Sequence, residues 1–249
     1  MIIRRQRRRS DVKMHNRLVV ALTAMFVVFV AQPAEAQQCV FPHGDATSLD
    51  EMLHSIAGSR TSCALPWRAL KRVAANPASA ARLRAAYTDV AKREPSRAFG
   101  ARAMSARVDA AIGHPEMMLA IADDNVAAHP ADKTLPNMSC YARGAYGIDL
   151  VHAMPYCDAA VTSGQRFPGL VNRGRVELGL GRNREALADF EDAIKDSMFR
   201  THFFNAHAIY GRGIARLRLG DTGGKSDLQR AISMQADIAA VFADAGITP

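Results

Sequence analysis

Two stretches near the C-terminus decide the fold: NRGRVELGLGRNREALADFEDAI at residues 172–194 and YGRGIARLRLGDTGGKSDLQRAI at residues 210–232. Small and large apolar residues recur in both at nearly the same spacing. The first stretch carries Gly174, Gly181, Ala186, Phe190 and Ala193, and the second carries Gly213, Gly220, Gly224, Leu228 and Ala231. This spacing predicts two helix–turn–helix units, each of which must bury its apolar face against a neighbour.

The pattern resembles the tetratricopeptide (TPR) repeat, and the resemblance extends over about residues 97–247. It implies an all-α fold: a TPR-type α-solenoid of stacked antiparallel helix pairs with a C-terminal capping helix over residues 237–247. Together with the export signal described below, the chain resembles exported bacterial TPR proteins. That similarity implies a role in protein–protein interaction or assembly in the periplasm, and it does not name a ligand.

The chain divides into four parts. Residues 1–36 form a signal peptide, and residues 37–63 form a lead-in with a short helix, opened by a capping box of Ser48 and Glu51. Residues 64–95 contain two helical patterns separated at Asn76-Pro77, which make a candidate degenerate repeat. Residues 96–247 form the TPR-like solenoid, with helix pairs at residues 97–130, 135–164, 168–198 and 203–236.

The N-terminus has the three parts of an export signal. A basic segment precedes an apolar region of 14 residues at positions 18–31, and Ala34-Glu35-Ala36 supplies a cleavage site. An uncleaved membrane anchor is the alternative, but a bilayer span needs about 20 apolar residues. We therefore expect cleavage after Ala36, a periplasmic or secreted product, and no membrane span in that product.

The net charge of +8 belongs mostly to the signal. Residues 1–36 hold seven Lys/Arg and two Asp/Glu, so 25 basic and 22 acidic residues remain, a net of +3. This small excess, without interleaved aromatic and basic strips, argues against nucleic acid as a partner.

Four cysteines follow the signal, and an even count in an exported protein indicates disulfides. Three pairings exist, and closeness in sequence favours Cys39–Cys63 and Cys140–Cys157. In the TPR register, Cys140 and Cys157 take large apolar positions that face each other across one hairpin. Two buried free thiols are the alternative for that pair. A zinc site is disfavoured because no C-x-x-C is present.

Catalytic, cofactor and metal motifs are absent from the sequence, so we expect no enzyme activity and no cofactor. The segment GDTGGKS at residues 220–226 resembles a phosphate-binding loop, but Leu219 stands where the first glycine is required. An inter-helix turn is the alternative interpretation of that segment. An envelope enzyme, or an accessory subunit with a site outside known motifs, remains the alternative function.

The concave surface of such a solenoid, lined by the first helix of each pair, is the expected binding surface for a protein or peptide partner. By register, the candidate partner-binding residues are Tyr146, Arg175, Arg212 and Arg216. A polar groove of this kind suits an acidic or extended peptide. Ordinary solvated arginines are the alternative interpretation.

Overall fold

The computed structural model describes residues 47–58, 65–163, 165–196 and 202–249. The signal peptide, the cleavage site and the predicted Cys39–Cys63 bond lie outside these residues. Every regular element in the described part of the chain is helical, which confirms the all-α prediction. The described residues all belong to a single compact unit.

The N-terminal helices begin at the capping signals that the sequence contains. Helix α1 (Leu49–Gly58) opens with a capping box: Glu51 N donates to Ser48 Oγ at 3.3 Å, and Ser48 N donates to Glu51 Oε2 at 2.6 Å. Helix α2 (Trp67–Ala74) is followed by α3 (Pro77–Arg93), whose first turn is capped by the Asn76 side chain. The predicted break at Asn76-Pro77 is thus confirmed.

Four helix pairs and one short helix follow. They are α4 (Ala98–Ala111) and α5 (Glu116–Ala128), α6 (Pro136–Tyr146) and α7 (Met154–Thr162), α8 (Arg166–Gly179) and α9 (Asn183–Asp196), α10 (His202–Arg218) and α11 (Gly224–Met234), and then α12 (Ile238–Ala243). Short 3₁₀ turns at Pro95–Arg97 and Leu150–His152 precede α4 and α7. GDTGGKS thus follows helix α10, whereas a phosphate-binding loop follows a strand.

The helices pack in a regular order. From α2 to α11 each helix contacts the next one along the chain, so adjacent helices form packed pairs. The first helix of one pair also contacts the first helix of the next, as α2 does with α4, α6 with α8, and α8 with α10. Helix α1 packs against α3, and α12 packs against both α10 and α11.

Phe190 joins two neighbouring pairs at the C-terminal end. Its side chain is fully buried, and its ring lies against the backbone of Gly174 on α8 and of Gly211 on α10. A Cβ at Gly174 would come within 2.9 Å of Phe190 Cζ, so the ring fits only because a glycine stands there. Phe190 therefore packs between its own pair and the next, as expected of units that bury their apolar faces against a neighbour.

The Sγ atoms of Cys140 on α6 and Cys157 on α7 lie 2.09 Å apart, the distance of a disulfide bond. Both residues are fully buried, in a cluster with Ala153 and Val176. The pair therefore ties the two helices of one hairpin together inside the core.

Candidate functional site

Two of the four predicted partner-binding residues, Arg212 and Arg216, are bound to a carboxylate of the next helix. Arg212 donates from Nε and Nη2 to the two oxygens of Asp227, at 2.8 and 2.6 Å. Arg216 Nη1 donates to Asp227 Oδ2 at 3.0 Å. The hydrogen bonding of Arg212 to the Asp227 carboxylate is the largest influence that raises the pKa of Arg212. These arginines therefore clamp α10 to α11.

Arg173 makes the equivalent clamp one pair earlier, and sequence reasoning missed it. It donates from Nε and Nη2 to the two oxygens of Asp189, both at 2.7 Å, and from Nη1 to Asp158 at 2.8 Å. The available signal was that Arg173 and Arg212 each precede an equivalent pattern glycine, Gly174 and Gly213. Bidentate arginine–carboxylate pairs fix geometry strongly, so these residues hold helices together.

Arg175, the third predicted residue, lies in the interior. Only 2% of its surface is exposed, and it makes no ion pair with any carboxylate in the described part of the chain. Its Nη1 donates to His207 Nδ1 at 3.2 Å, and its Nη2 to the Ala145 carbonyl at 3.4 Å. Nε is buried with no hydrogen-bond partner among the described residues. Burial lowers the pKa of this guanidinium.

His207 on α10 accepts the Arg175 hydrogen bond, so its own ring proton belongs on Nε2. Burial lowers the pKa of His207 well below its usual value, and the nearby charges of Arg175 and Arg107 lower it further. The ring is therefore neutral at physiological pH. It serves Arg175 as a hydrogen-bond acceptor.

Tyr146, the fourth predicted residue, lies at the end of α6 beside other aromatic residues. Its ring centroid is 6.0 Å from that of Trp67 on α2 and 6.3 Å from that of Tyr141. Burial raises the pKa of the Tyr146 hydroxyl, and Tyr141 raises it further. The guanidinium of Arg107 on α4 lies 5.2 Å from the centroid of Trp67, a cation–π distance.

The C-terminal residues 238–249, called here the tail, lie over this set of side chains. The ring of Phe242 is fully buried, and the Arg175 guanidinium lies 4.6 Å from its centroid. The rings of His207 and Tyr210 lie 5.8 and 5.0 Å from it. Phe242 is thus the main apolar anchor of the tail, and its ring covers the buried cation.

Asp244 provides a second anchor of the tail. Trp67 Nε1 donates to its Oδ2 at 2.6 Å, and Lys71 Nζ lies 2.8 Å from its Oδ1. Gly147, just after α6, touches the backbone of Ala245. Gly147 has a φ of +67°, and any Cβ there would collide with the Ala245 carbonyl, so only glycine lets the tail come this close.

We call this surface the inner groove. It is formed by first helices of successive pairs and is lined by Trp67, Lys71, Tyr146, Arg175, His207 and Tyr210. The structure brings Tyr146 and Arg175 together there, and it places Arg212 and Arg216 in the separate α10–α11 clamp. The sequence predicts that residues 237–247 form a helix that caps the last pair. The tail does pack on that pair, but it also reaches α2 and the end of α6.

Within the described ranges, no three His, Cys, Asp or Glu side chains are grouped so that they could hold a metal ion. None of the helices described here has both the length and the hydropathy needed to cross a bilayer. No protein-family model, no curated protein and no solved structure matches this chain.

Proposed function

We propose that this chain is an exported binding module, a TPR-type α-solenoid whose inner groove receives a segment of a protein partner. The order of helix contacts supports the solenoid. From α2 to α11 each helix packs on the next, and the first helices pack on each other at α2–α4, α6–α8 and α8–α10, as expected when hairpins stack in one direction. The contact of Phe190 with Gly174 supports the TPR register, because both are pattern positions of the first stretch quoted above, and Leu228 lies against Gly213 in the same way in the second stretch.

The tail carries the proposal. A short helical segment already lies in the inner groove, anchored through Phe242 and Asp244 to side chains of α2, α8 and α10. Aromatic residues and arginine are the side chains that dominate protein–protein recognition, and they line this groove. The surface therefore has the size and chemistry to hold a peptide segment.

The export signal and the buried cysteine pair support an oxidising compartment. Residues 1–36 have the pattern of a cleaved signal, and the Cys140 and Cys157 sulfur atoms lie at disulfide distance. Disulfides persist in the periplasm or outside the cell. We therefore place the partner there.

Site-specific photo-crosslinking tests this proposal. Lys71 lies at the rim of the groove, with 43% of its side chain exposed, and its replacement by benzoylphenylalanine places a reactive group against any occupant. Lys92, an exposed lysine on α3, is the matched control position. In cells exporting each variant, we expect ultraviolet light to join a second protein to position 71 and none to position 92.

The outcomes separate the alternatives. Adducts formed from position 92 alone would move the binding surface away from the groove. Absence of adducts from both positions, with correctly exported protein, would contradict a binding function. Crosslinking between position 71 and the chain's own tail gives no second protein, so mass spectrometry distinguishes it from partner capture.

A further inference from the structure

We propose that the tail is an intramolecular occupant that holds the inner groove closed. The partner is then a segment of another protein that displaces the tail with an aromatic residue and, two positions later, a carboxylate. This inference rests on the proposed function. It adds the chemistry of the partner and a reason why the groove is covered.

The two anchors of the tail define what the groove accepts. The Phe242 ring fills the space between the Arg175 guanidinium and the rings of His207 and Tyr210. The Asp244 carboxylate accepts a hydrogen bond from Trp67 and pairs with Lys71. A displacing segment must supply both groups, because otherwise it would leave a cation and an indole N–H without the partners they have now.

The floor of the groove has the composition of a binding surface. Among the described residues, Arg175 is buried without a carboxylate partner, and its Nε makes no hydrogen bond. A buried, unneutralised guanidinium costs free energy, and an apolar side chain would fill a purely structural core better. Arginine and aromatic side chains around a pocket are typical of interface hot spots. The Arg175–Phe242 contact fits recognition better than it fits core packing.

The covering element is weak by itself. Helix α12 has six residues, too few to be stable without tertiary contacts. Asp244, its link to α2, is partly exposed, with 32% of its side chain accessible. The other contacts of the tail include the burial of Ile238 and Ile247 beside Phe242 and the hydrogen bond that the Thr248 carbonyl accepts from Arg218 Nη2 at 2.7 Å. All of these contacts join the tail to the helix pairs and none joins the two helices of one pair, so a segment that replaces them can displace the tail while the pairs stay folded.

A second copy of the same chain is a poor competitor for the groove. Its tail would carry the same anchors, whereas the tethered tail acts at an effective concentration that reaches millimolar for short connections. A free tail of equal affinity is therefore outcompeted by the tethered tail. Only a segment that binds more tightly, as a dedicated partner's does, can hold the groove open.

A peptide of residues 235–249, QADIAAVFADAGITP, is the probe for the test. Fluorescence anisotropy measures its binding to three mature proteins: wild type, Asp244→Ala and Asp124→Ala. Asp244→Ala removes one anchor of the tethered tail. Asp124→Ala removes an exposed carboxylate of α5 and is the matched control. A second peptide, with alanine in place of the residues corresponding to Phe242 and Asp244, controls for specificity.

The probe should bind Asp244→Ala about tenfold more tightly than it binds wild type or Asp124→Ala. The apparent affinity rises with the fraction of molecules whose groove is open, and losing a charged hydrogen bond and an ion pair raises that fraction by roughly this factor. The alanine-substituted peptide should bind none of the three proteins. Equal binding of the probe to all three, or no binding to any, would overturn the inference.

Hydrogen exchange of the wild-type protein provides a measurement that needs no variant. We expect the amides of α12 to exchange at least tenfold faster than those of α8 and α10, since the tail opens without global unfolding. Protection of α12 equal to that of α10 would mean that the tail is a permanent part of the fold. Dimers of Asp244→Ala that the probe dissociates would make a second copy the occupant and overturn the assignment to a foreign partner.

The experiments can contradict the binding function and the displacement of the tail independently of each other. Partner adducts at position 71, together with a tail that stays closed in both measurements, would leave the binding function intact and remove only the displacement. If the tail opens and the groove binds the probe peptide, but no adducts form in cells, the tail would be displaceable and the binding of a foreign partner would be contradicted.

Discussion

Glu177 on α8 is a carboxylic acid in surroundings that disfavour its charged form. The residue is buried, and Oε2 has no hydrogen-bond partner among the described residues. Burial and, to a smaller extent, the negative charge of Asp189 raise the pKa of Glu177 to about 8. The folded protein therefore keeps this proton over much of the physiological pH range.

A stability titration of Glu177→Gln tests this state. The unfolded chain releases the proton near pH 4.3, and the folded chain releases it near 8. The folded pKa is raised, so this group's contribution to the unfolding free energy is fully present below about pH 4.3 and is lost as the pH rises towards 8. We expect wild type to lose up to about 1.4 kcal/mol per pH unit from this residue, and Glu177→Gln to lack that loss.

Urea denaturation at pH 5, 6.5 and 8 measures this slope. Asp124→Asn, which removes an exposed carboxylate of α5 that does not act on Glu177, is the control and should keep the wild-type slope. Identical slopes in wild type and Glu177→Gln would show that Glu177 is ionised in the folded protein.

The arginines show why the candidate site was only partly predictable from sequence. Arg175 and Arg212 both lie on first helices. Arg212 precedes the pattern glycine of its stretch, as the clamp residue Arg173 does, and Arg175 follows the glycine of its own stretch, but this offset does not say which side chain is buried. The difference lies in what faces each side chain: Phe242 over Arg175, and Asp227 beside Arg212. Phe242 is 67 positions after Arg175, and a local sequence pattern cannot predict a contact between residues so far apart in the chain.

Element boundaries were predictable wherever a cap or a proline set them. The capping box at Ser48 and the cap at Asn76 act through backbone groups within three residues, so the sequence alone carries the signal. Helix α12 was also predicted, but its place was not. A short apolar helix fits an open end or a groove equally well, and the contacts of Asp244 with Trp67 and Lys71 decide between them.

A cysteine pair joins the two helices of the α6–α7 hairpin, and we expect the stability of this hairpin to depend on it. Helix α7 has nine residues, and the two cysteines are 17 positions apart. Closing a loop of this size lowers the entropy of the unfolded chain and stabilises the fold by about 3 kcal/mol. We expect Cys140→Ala/Cys157→Ala to lower the unfolding free energy by roughly that amount, measured by urea denaturation.

Non-reducing peptide mapping of the wild-type protein is the control for this prediction. It should join the peptides that contain Cys140 and Cys157. Alkylation of either thiol in denaturant without a reductant would show that the pair is not oxidised, and the stability loss would then have another cause.

At the scale of the whole molecule, the stacking order makes stability a property shared between neighbouring pairs. Each pair buries its apolar face on the next, so damage at one junction should weaken both sides of it. Phe190 is the clearest junction, because its ring contacts Gly174 of its own pair and Gly211 of the next.

Phe190→Ala should therefore cost about 3–5 kcal/mol in unfolding free energy, and the effect should spread. Hydrogen exchange should become faster in α8 and α10 as well as in α9, because both glycine surfaces lose their contact.

Phe242→Ala is the matched control: the same side chain, also fully buried, is removed from the tail. Its effect should be largest in α12 and should leave α9 protected, since Phe242 packs on the groove rather than at a junction between pairs. Faster exchange confined to α9 in Phe190→Ala would mean that the pairs are independent units, and stacking would then contribute little to the stability of this fold.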